Sequence, residues 1–262
     1  MVQYSRLFSV QGQRACVIGA GSGIGREIAQ GLAAWGADVV CADRDVDAAR
    51  ETSSLCRAQR PLSAAEYIDV TDPEQVREAP ERFGHPQILV HTAAMNVRRR
   101  ILDYRDDELE KVTSLNLTGT FRVLQAFGGS MVERGRGSMV FLSSIRARVV
   151  EPGQGVYGAT KAGLESLVRS AASEFSTRGV RVNAIAPGVV TTPLTQQVQS
   201  DPGWFRNYAA QSALGRWAEP SELVGAAVYL ASDAASYVTG SVLAVDGGWT
   251  AIDGGTSELH TP

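Results

Sequence analysis

Seven short apolar runs recur along this chain, and longer stretches with helical spacing lie between them. The runs are "ACVIG" (15–19), "ADVVCAD" (37–43), "AAEYIDV" (64–70), "QILVHTA" (87–93), "GSMVFLS" (137–143), "VRVNAIAP" (180–187) and "SVLAVDGG" (241–248). Each is apolar on both faces and rich in Val, Ile and Ala, the pattern of strands covered on both sides. Parallel strands need crossovers, and helical crossovers supply that cover. Helices are expected after the first run ("GREIAQGLAAWG"), near 45–58, over 106–134, over 155–178 and over 220–231. The alternation predicts an α/β, doubly wound parallel sheet of about seven strands with helices on both faces. No linker or composition break divides the chain, so residues 1–262 are expected to form a single domain. The segment 192–214 is read as a loop carrying short helices.

Composition narrows the function. The chain has 44% hydrophobic and 20% charged residues and a net charge of -3. That balance offers no basic field for nucleic acid. No apolar run reaches the roughly 20 residues that a membrane helix needs, so no membrane partner is expected. "MVQYSRLFSVQGQR" does not read as a secretion signal. Cys16, Cys41 and Cys56 are odd in number and lack metal-like spacing, so no metal site is expected; buried, reduced thiols are the default, and with them a cytoplasmic location. The polar end "DGGTSELHTP" is expected to be loosely held.

"VIGAGSGIGREIA" joins the first strand to the first helix. Gly19, Gly23 and Gly25 allow a tight turn and close backbone approach, and the helix start behind them offers free N–H groups to a pyrophosphate. The spacing is G-x-x-x-G-x-G rather than G-x-G-x-x-G; a close-packed turn is the plain alternative, and the place between strand and helix favours a dinucleotide. Ser22 and Ile24 complete this turn. The fold class is therefore Rossmann-type. Asp43 ends the second strand, where an acid accepts ribose hydroxyls and repels a 2′-phosphate, pointing to NAD. Arg44 beside it could receive a phosphate. Asp69, with Val70, follows the third strand and faces either an adenine or the start of a helix.

"SSIRARVVEPGQGVYGATK" (143–161) places Tyr157 and Lys161 one helical turn apart, on one face. A free phenol has a pKa of about 10, and a nearby ammonium is expected to lower it. Such a phenol can exchange a proton with a substrate hydroxyl, and Ser144 can hold that oxygen.

Together, "GAGSGIG", "NLTG" (116–119), "SS…YGATKAG" (143–163), "VRVNAIAPG" (180–188) and "YVTGSVLAVDGG" (237–248) resemble the short-chain dehydrogenase/reductase family over nearly the whole chain. The resemblance implies catalysis by Asn116, Ser144, Tyr157 and Lys161, with Asn116 anchoring a water that leads from Lys161. It implies a cofactor held also by Ala93, Pro187, Gly188, the backbone of Val190 and the hydroxyl of Thr192, and a homotetramer or homodimer using the helices around 106–134 and 155–178. Ser22 stands where NADP-binding relatives often carry a basic residue. One departure is His91-Thr92-Ala93-Ala94, where the family has Asn-Asn-Ala-Gly; His91 reads as a hydrogen-bonded strand end.

Arginines gather on three loops: Arg98 and Arg99, Arg146 and Arg148, and Arg216. Guanidinium groups suit carboxylate, phosphate or sulfonate, so a small anionic sugar is the expected substrate, with solvated loop charge as the alternative. "NVRRRILDY", "GRWAEPSELVG" and "VDGGW" are similar to gluconate 5-dehydrogenase and 2-dehydro-3-deoxygluconate 5-dehydrogenase members of the family. A polyol or neutral-sugar dehydrogenase and a 3-oxoacyl carrier-protein reductase remain alternatives, as does a dinucleotide-binding sensor without turnover.

Overall fold

A computed structural model describes residues 4–252. The segment "DGGTSELHTP" lies outside the described residues. Among those described, one parallel sheet contains β1 (Arg14–Ile18), β2 (Asp38–Asp43), β3 (Ala64–Tyr67), β4 (Ile88–His91), β5 (Gly137–Leu142), β6 (Val180–Pro187) and β7 (Val242–Val245), in the order β3-β2-β1-β4-β5-β6-β7. All six pairings are parallel. The two edge strands are shorter than the apolar runs that announce them.

Alternation along each strand builds two cores. Val17, Cys41, Val90, Val140 and Ile185 face one side, against α1 (Gly23–Ala34), α2 (Val46–Arg57) and α9 (Val224–Ala231). Cys16, Val40, Leu89, Met139 and Val182 face the other, against α3 (Pro73–Arg82), α5 (Thr120–Glu133) and α6 (Gly155–Phe175). Strand side chains point alternately up and down, so a strand apolar at every position serves both layers. The three cysteines are free and buried, and burial pushes the Cys16 thiol up.

α3 is the helix that the apolar pattern does not announce. Pro80 lies inside it, where a helix normally loses a hydrogen bond. Its start is nevertheless written locally: Asp72 accepts from the N–H groups of Glu74 and Gln75, and Pro73 occupies the first turn. Asp72, rather than Asp69, is thus the helix cap. The helix expected over 106–134 is in fact α4 (Asp106–Thr113) and α5, with a π-helical turn, Ser114–Gly119, between them. Such turns are often found at functional positions, and this one contains Asn116.

The 192–214 segment folds as α7 (Gln196–Gln199) and α8 (Pro202–Gln211). Asp201 caps α8 by accepting from the N–H groups of Gly203 and Trp204. A third apolar cluster, Ile145, Val189, Val198, Tyr208, Trp217 and Trp249, fixes this segment over the carboxyl ends of β5 and β6. Phe205 stacks on Trp217 with centroids 4.8 Å apart. No described helix is long and apolar enough to cross a membrane.

Candidate active site

A cleft of about 420 Å³ opens along the carboxyl ends of β1 to β6. One end is the glycine turn after β1. Gly19 has φ +89°, and a Cβ there would lie 2.4 Å from Thr92 Oγ1; a Cβ on Gly25 would lie 2.0 Å from the Gly19 carbonyl oxygen. Backbone therefore packs on backbone where α1 begins. Ser22, the residue at the N-cap, makes no side-chain cap, so the first-turn amides of α1 are left to the cleft. Asp43 reaches back to this turn: its carboxylate accepts from Gly21 N (2.8 Å) and Asp45 N (2.9 Å). Ser22, Gly23, Ile24, Asp43, Arg44, Asp69 and Val70 all line this end. Aligned amides and a positioned acid fit a dinucleotide's pyrophosphate and ribose.

Ala93, Pro187, Gly188, Val190 and Thr192 line the middle of the cleft. The His91–Ala94 departure is accommodated. Thr92 Oγ1 donates to the carbonyls of Ile18 (3.0 Å) and Gly19 (3.1 Å), tying β4 to the glycine turn. Among described non-glycine residues only His85 has positive φ, so Ala94 needs no glycine backbone. His91 is buried, edge-on to Phe141, and its Nε2 lies 3.1 Å from Thr120 Oγ1. Burial and the charge of Lys161 depress its pKa to about 3, so the ring is neutral at neutral pH.

Ser144, Tyr157 and Lys161 form the far end. Ser144 follows β5 and caps a short turn, accepting from Arg146 N at 3.1 Å. Tyr157 lies in the first turns of α6, where Gly155 starts the helix. Lys161 Nζ lies 5.7 Å from the Tyr157 ring centroid and donates to the Leu142 carbonyl at 2.7 Å. Burial pushes the Tyr157 phenol above its ordinary value, opposed by the Ser144 hydroxyl and by Arg146 and Arg98. The expected lowering by Lys161 does not prevail: burial pulls Lys161 itself down to about 8. Two groups taken out of water together each favour their neutral form.

Asn116 does not line the cleft. It is fully buried, donates to the Met95 carbonyl (2.8 Å) and Thr160 Oγ1 (3.2 Å), and accepts from Met95 N (2.9 Å). Its backbone carbonyl accepts from Thr120 Oγ1 at 2.7 Å. It clamps the segment after β4 to α6.

The five arginines separate. Arg98 and Arg146 line the cleft. Arg99 pairs with Glu108 at 2.7 Å, Arg148 with Glu165 at 3.6 Å and Arg216 with Glu222 at 2.7 Å, and none of these three lines it. Sequence reasoning missed Glu151, which pairs with both Arg98 (3.1 Å) and Arg146 (2.8 Å), and Tyr208 of α8, which donates to Glu151. It also missed Asn96 and Gln154, polar residues of the same wall.

Residues 19–250 match the family model described as Enoyl-(Acyl carrier protein) reductase. The chain is 40% identical to a galactitol 2-dehydrogenase (L-tagatose-forming) of Cereibacter sphaeroides, covering 95% of this chain and 99% of that protein. It is 36% identical to a gluconate 5-dehydrogenase of Gluconobacter oxydans, covering 93% and 97%. A gluconate 5-dehydrogenase from Burkholderia cenocepacia, solved with NADP and tartrate, superposes with a TM-score of 0.92 at 31% identity, covering 96% of this chain and 100% of that one.

The buried lysine generates a pH prediction. The folded protein holds the Lys161 proton less tightly than the unfolded chain does. The penalty is therefore complete below about 8 and is relieved as pH rises toward 10.5. Lys161→Met should gain stability relative to the parent at pH 7, and the gain should shrink by pH 10. Thermal unfolding at both pH values checks this; a gain that grows with pH contradicts it.

Proposed function

The chain belongs to the short-chain dehydrogenase/reductase family and is an oxidoreductase acting on CH–OH groups with a nicotinamide dinucleotide; we propose that its substrate is a sugar or sugar acid, carrying a negative charge, and that its cofactor is NAD. The observation that carries the reading is that Ser144, Tyr157 and Lys161 line one cleft with the glycine turn and with Arg98 and Arg146. The nicotinamide, when bound, accepts or supplies the hydride. Ser144 holds the substrate oxygen. Tyr157 takes the hydroxyl proton in oxidation and returns it in reduction. Lys161, fixed on the Leu142 carbonyl, supplies the positive charge that favours the phenolate whenever it is protonated. Asn116 keeps the proposed role of anchoring a water that leads from Lys161, with its side-chain amide fixed on Met95 and Thr160.

Asp43 supports NAD: a carboxylate pinned by two amides at the ribose end of the cleft repels a 2′-phosphate. Arg98 and Arg146 support an anion. A neutral polyol is the second reading, favoured by the Glu151 carboxylate that both arginines already contact. The 192–214 segment, through Tyr208, forms part of the substrate wall.

The test follows reduction of NAD+ and NADP+ across sugars, polyols, sugar acids and sulfonated sugars. We expect turnover of a sugar acid or polyol, with NAD+ favoured about tenfold or more, since a misplaced charge costs at least one charge-assisted hydrogen bond. Tyr157→Phe should lower turnover about 10²- to 10⁴-fold while NADH still binds. Equal use of both cofactors removes the NAD assignment, and a Tyr157→Phe enzyme above a tenth of the parent rate removes the tyrosine.

We also propose a homodimer or homotetramer. Leu109 of α4 and Phe121 of α5 stand 43% and 46% exposed on the helices expected at the interface. A single-chain mass in light scattering at micromolar concentration contradicts this.

A further inference from the structure

Glu151 is in a position that the catalytic chemistry does not explain. It lies in the loop between the Ser144 turn and α6, and its side chain is only 16% exposed. Oε1 accepts from Arg98 Nη1 (3.1 Å), and Oε2 forms an ion pair with Arg146 Nη2 (2.8 Å). The Tyr208 hydroxyl donates to the carboxylate at 2.5 Å, and Gln154 Nε2 donates to Oε2. Arg98, Arg146, Gln154 and Tyr208 line the cleft, and Glu151 stands behind them.

This one carboxylate therefore ties together three segments: the loop after β4, the loop after β5, and α8. Aromatic rings complete the mount. The Arg98 guanidinium lies 4.9 Å from the Trp204 ring, and that of Arg146 lies 5.2 Å from Trp249 and 5.6 Å from Tyr208. Burial, and the hydrogen bond to Glu151, push the Tyr208 phenol up, so it contributes no charge. Two guanidinium groups share one carboxylate. The wall carries one net positive charge, not two.

We propose that Glu151 is a specificity-determining positioning residue: it sets the charge of the substrate wall at one, so that the cleft selects a polyhydroxy monoacid over a neutral polyol and over a diacid. This rests on the sugar-acid reading above. A pocket with two uncompensated guanidiniums would favour a dianion; a pocket with none would favour a polyol.

Three probes with one six-carbon chain and graded charge test it: D-glucitol (neutral), D-gluconate (one carboxylate) and D-glucarate (two). The parent should use gluconate with the highest kcat/KM. Glu151→Gln keeps the size and an acceptor but removes the charge, and should raise the glucarate-to-gluconate ratio of kcat/KM about tenfold, the worth of one charge-assisted contact. Arg98→Gln should shift the preference toward glucitol by a similar factor. The double variant Arg98→Gln/Glu151→Gln returns the wall to one net charge, and its ratios should return to within about threefold of the parent's, allowing for imperfect additivity between neighbours. A merely structural role predicts additive losses with no return. If Glu151→Gln alone does not fold, Arg98→Gln and the double variant carry the test: the double must exceed the single in its gluconate-to-glucitol ratio. Ratios in a folded Glu151→Gln that match the parent's, or a double variant that stays at the single's ratio, overturn the proposal. Failure of the parent to turn over any of the three overturns the sugar-acid reading together with it, whereas turnover with ratios indifferent to Glu151 overturns this inference alone.

Discussion

The seven strands described run in one direction, so their carboxyl ends lie along one edge, and the cleft opens along it. The chain builds outward from β1 to β3, then returns to start again at β4 beside β1. Loops on the two sides of that reversal diverge and leave a crevice between them. The glycine turn, Thr92, Ser144 and Pro187 reach it from β1, β4, β5 and β6. The five inner strands are buried on both faces between the two helical layers, which fixes that edge.

Most polar groups under that edge are matched, and the exceptions there, among the described residues, are His91 Nδ1 and Asn96 Oδ1, buried without a hydrogen-bond partner. Asn116 satisfies both main-chain groups of Met95 from inside a π-helical turn, and Thr120 links its carbonyl to His91. Lys161 is dry enough to lose basicity, yet its ammonium is held on the end of β5. A buried network of this kind costs desolvation and yields fixed geometry. The cleft wall repeats the pattern: two arginines and a tyrosine are ordered by one carboxylate.

The five inner strands were legible because a doubly covered strand needs an unbroken apolar run, whereas the edge strands β3 and β7 are only partly buried and shorter than their runs. The glycine turn and the Tyr157/Lys161 pair were legible because each is local: strand, turn and helix in one case, one turn of one helix in the other. α3 was hidden by Pro80, which breaks the helical pattern although Asp72 and Pro73 mark the start. The π-helical turn at Asn116 was hidden because one extra residue in a turn leaves helical periodicity nearly intact. The arginines show the limit most clearly. Five looked alike in sequence, yet Arg99, Arg148 and Arg216 find acids at Glu108, Glu165 and Glu222 and do not line the cleft. Glu151 is a single acid in a polar loop, and its partner Tyr208 lies fifty-seven residues away, so only the folded chain brings out its role.

The central claim is that the carbinol hydrogen of a sugar-like substrate passes as hydride to the nicotinamide. The direct measurement supplies NAD+ with a substrate carrying deuterium at the carbinol carbon and locates the label in the reduced cofactor. The account predicts deuterium at C4 of the nicotinamide ring, with none washed out to water. Reduced cofactor without deuterium, or label recovered in solvent, would contradict it.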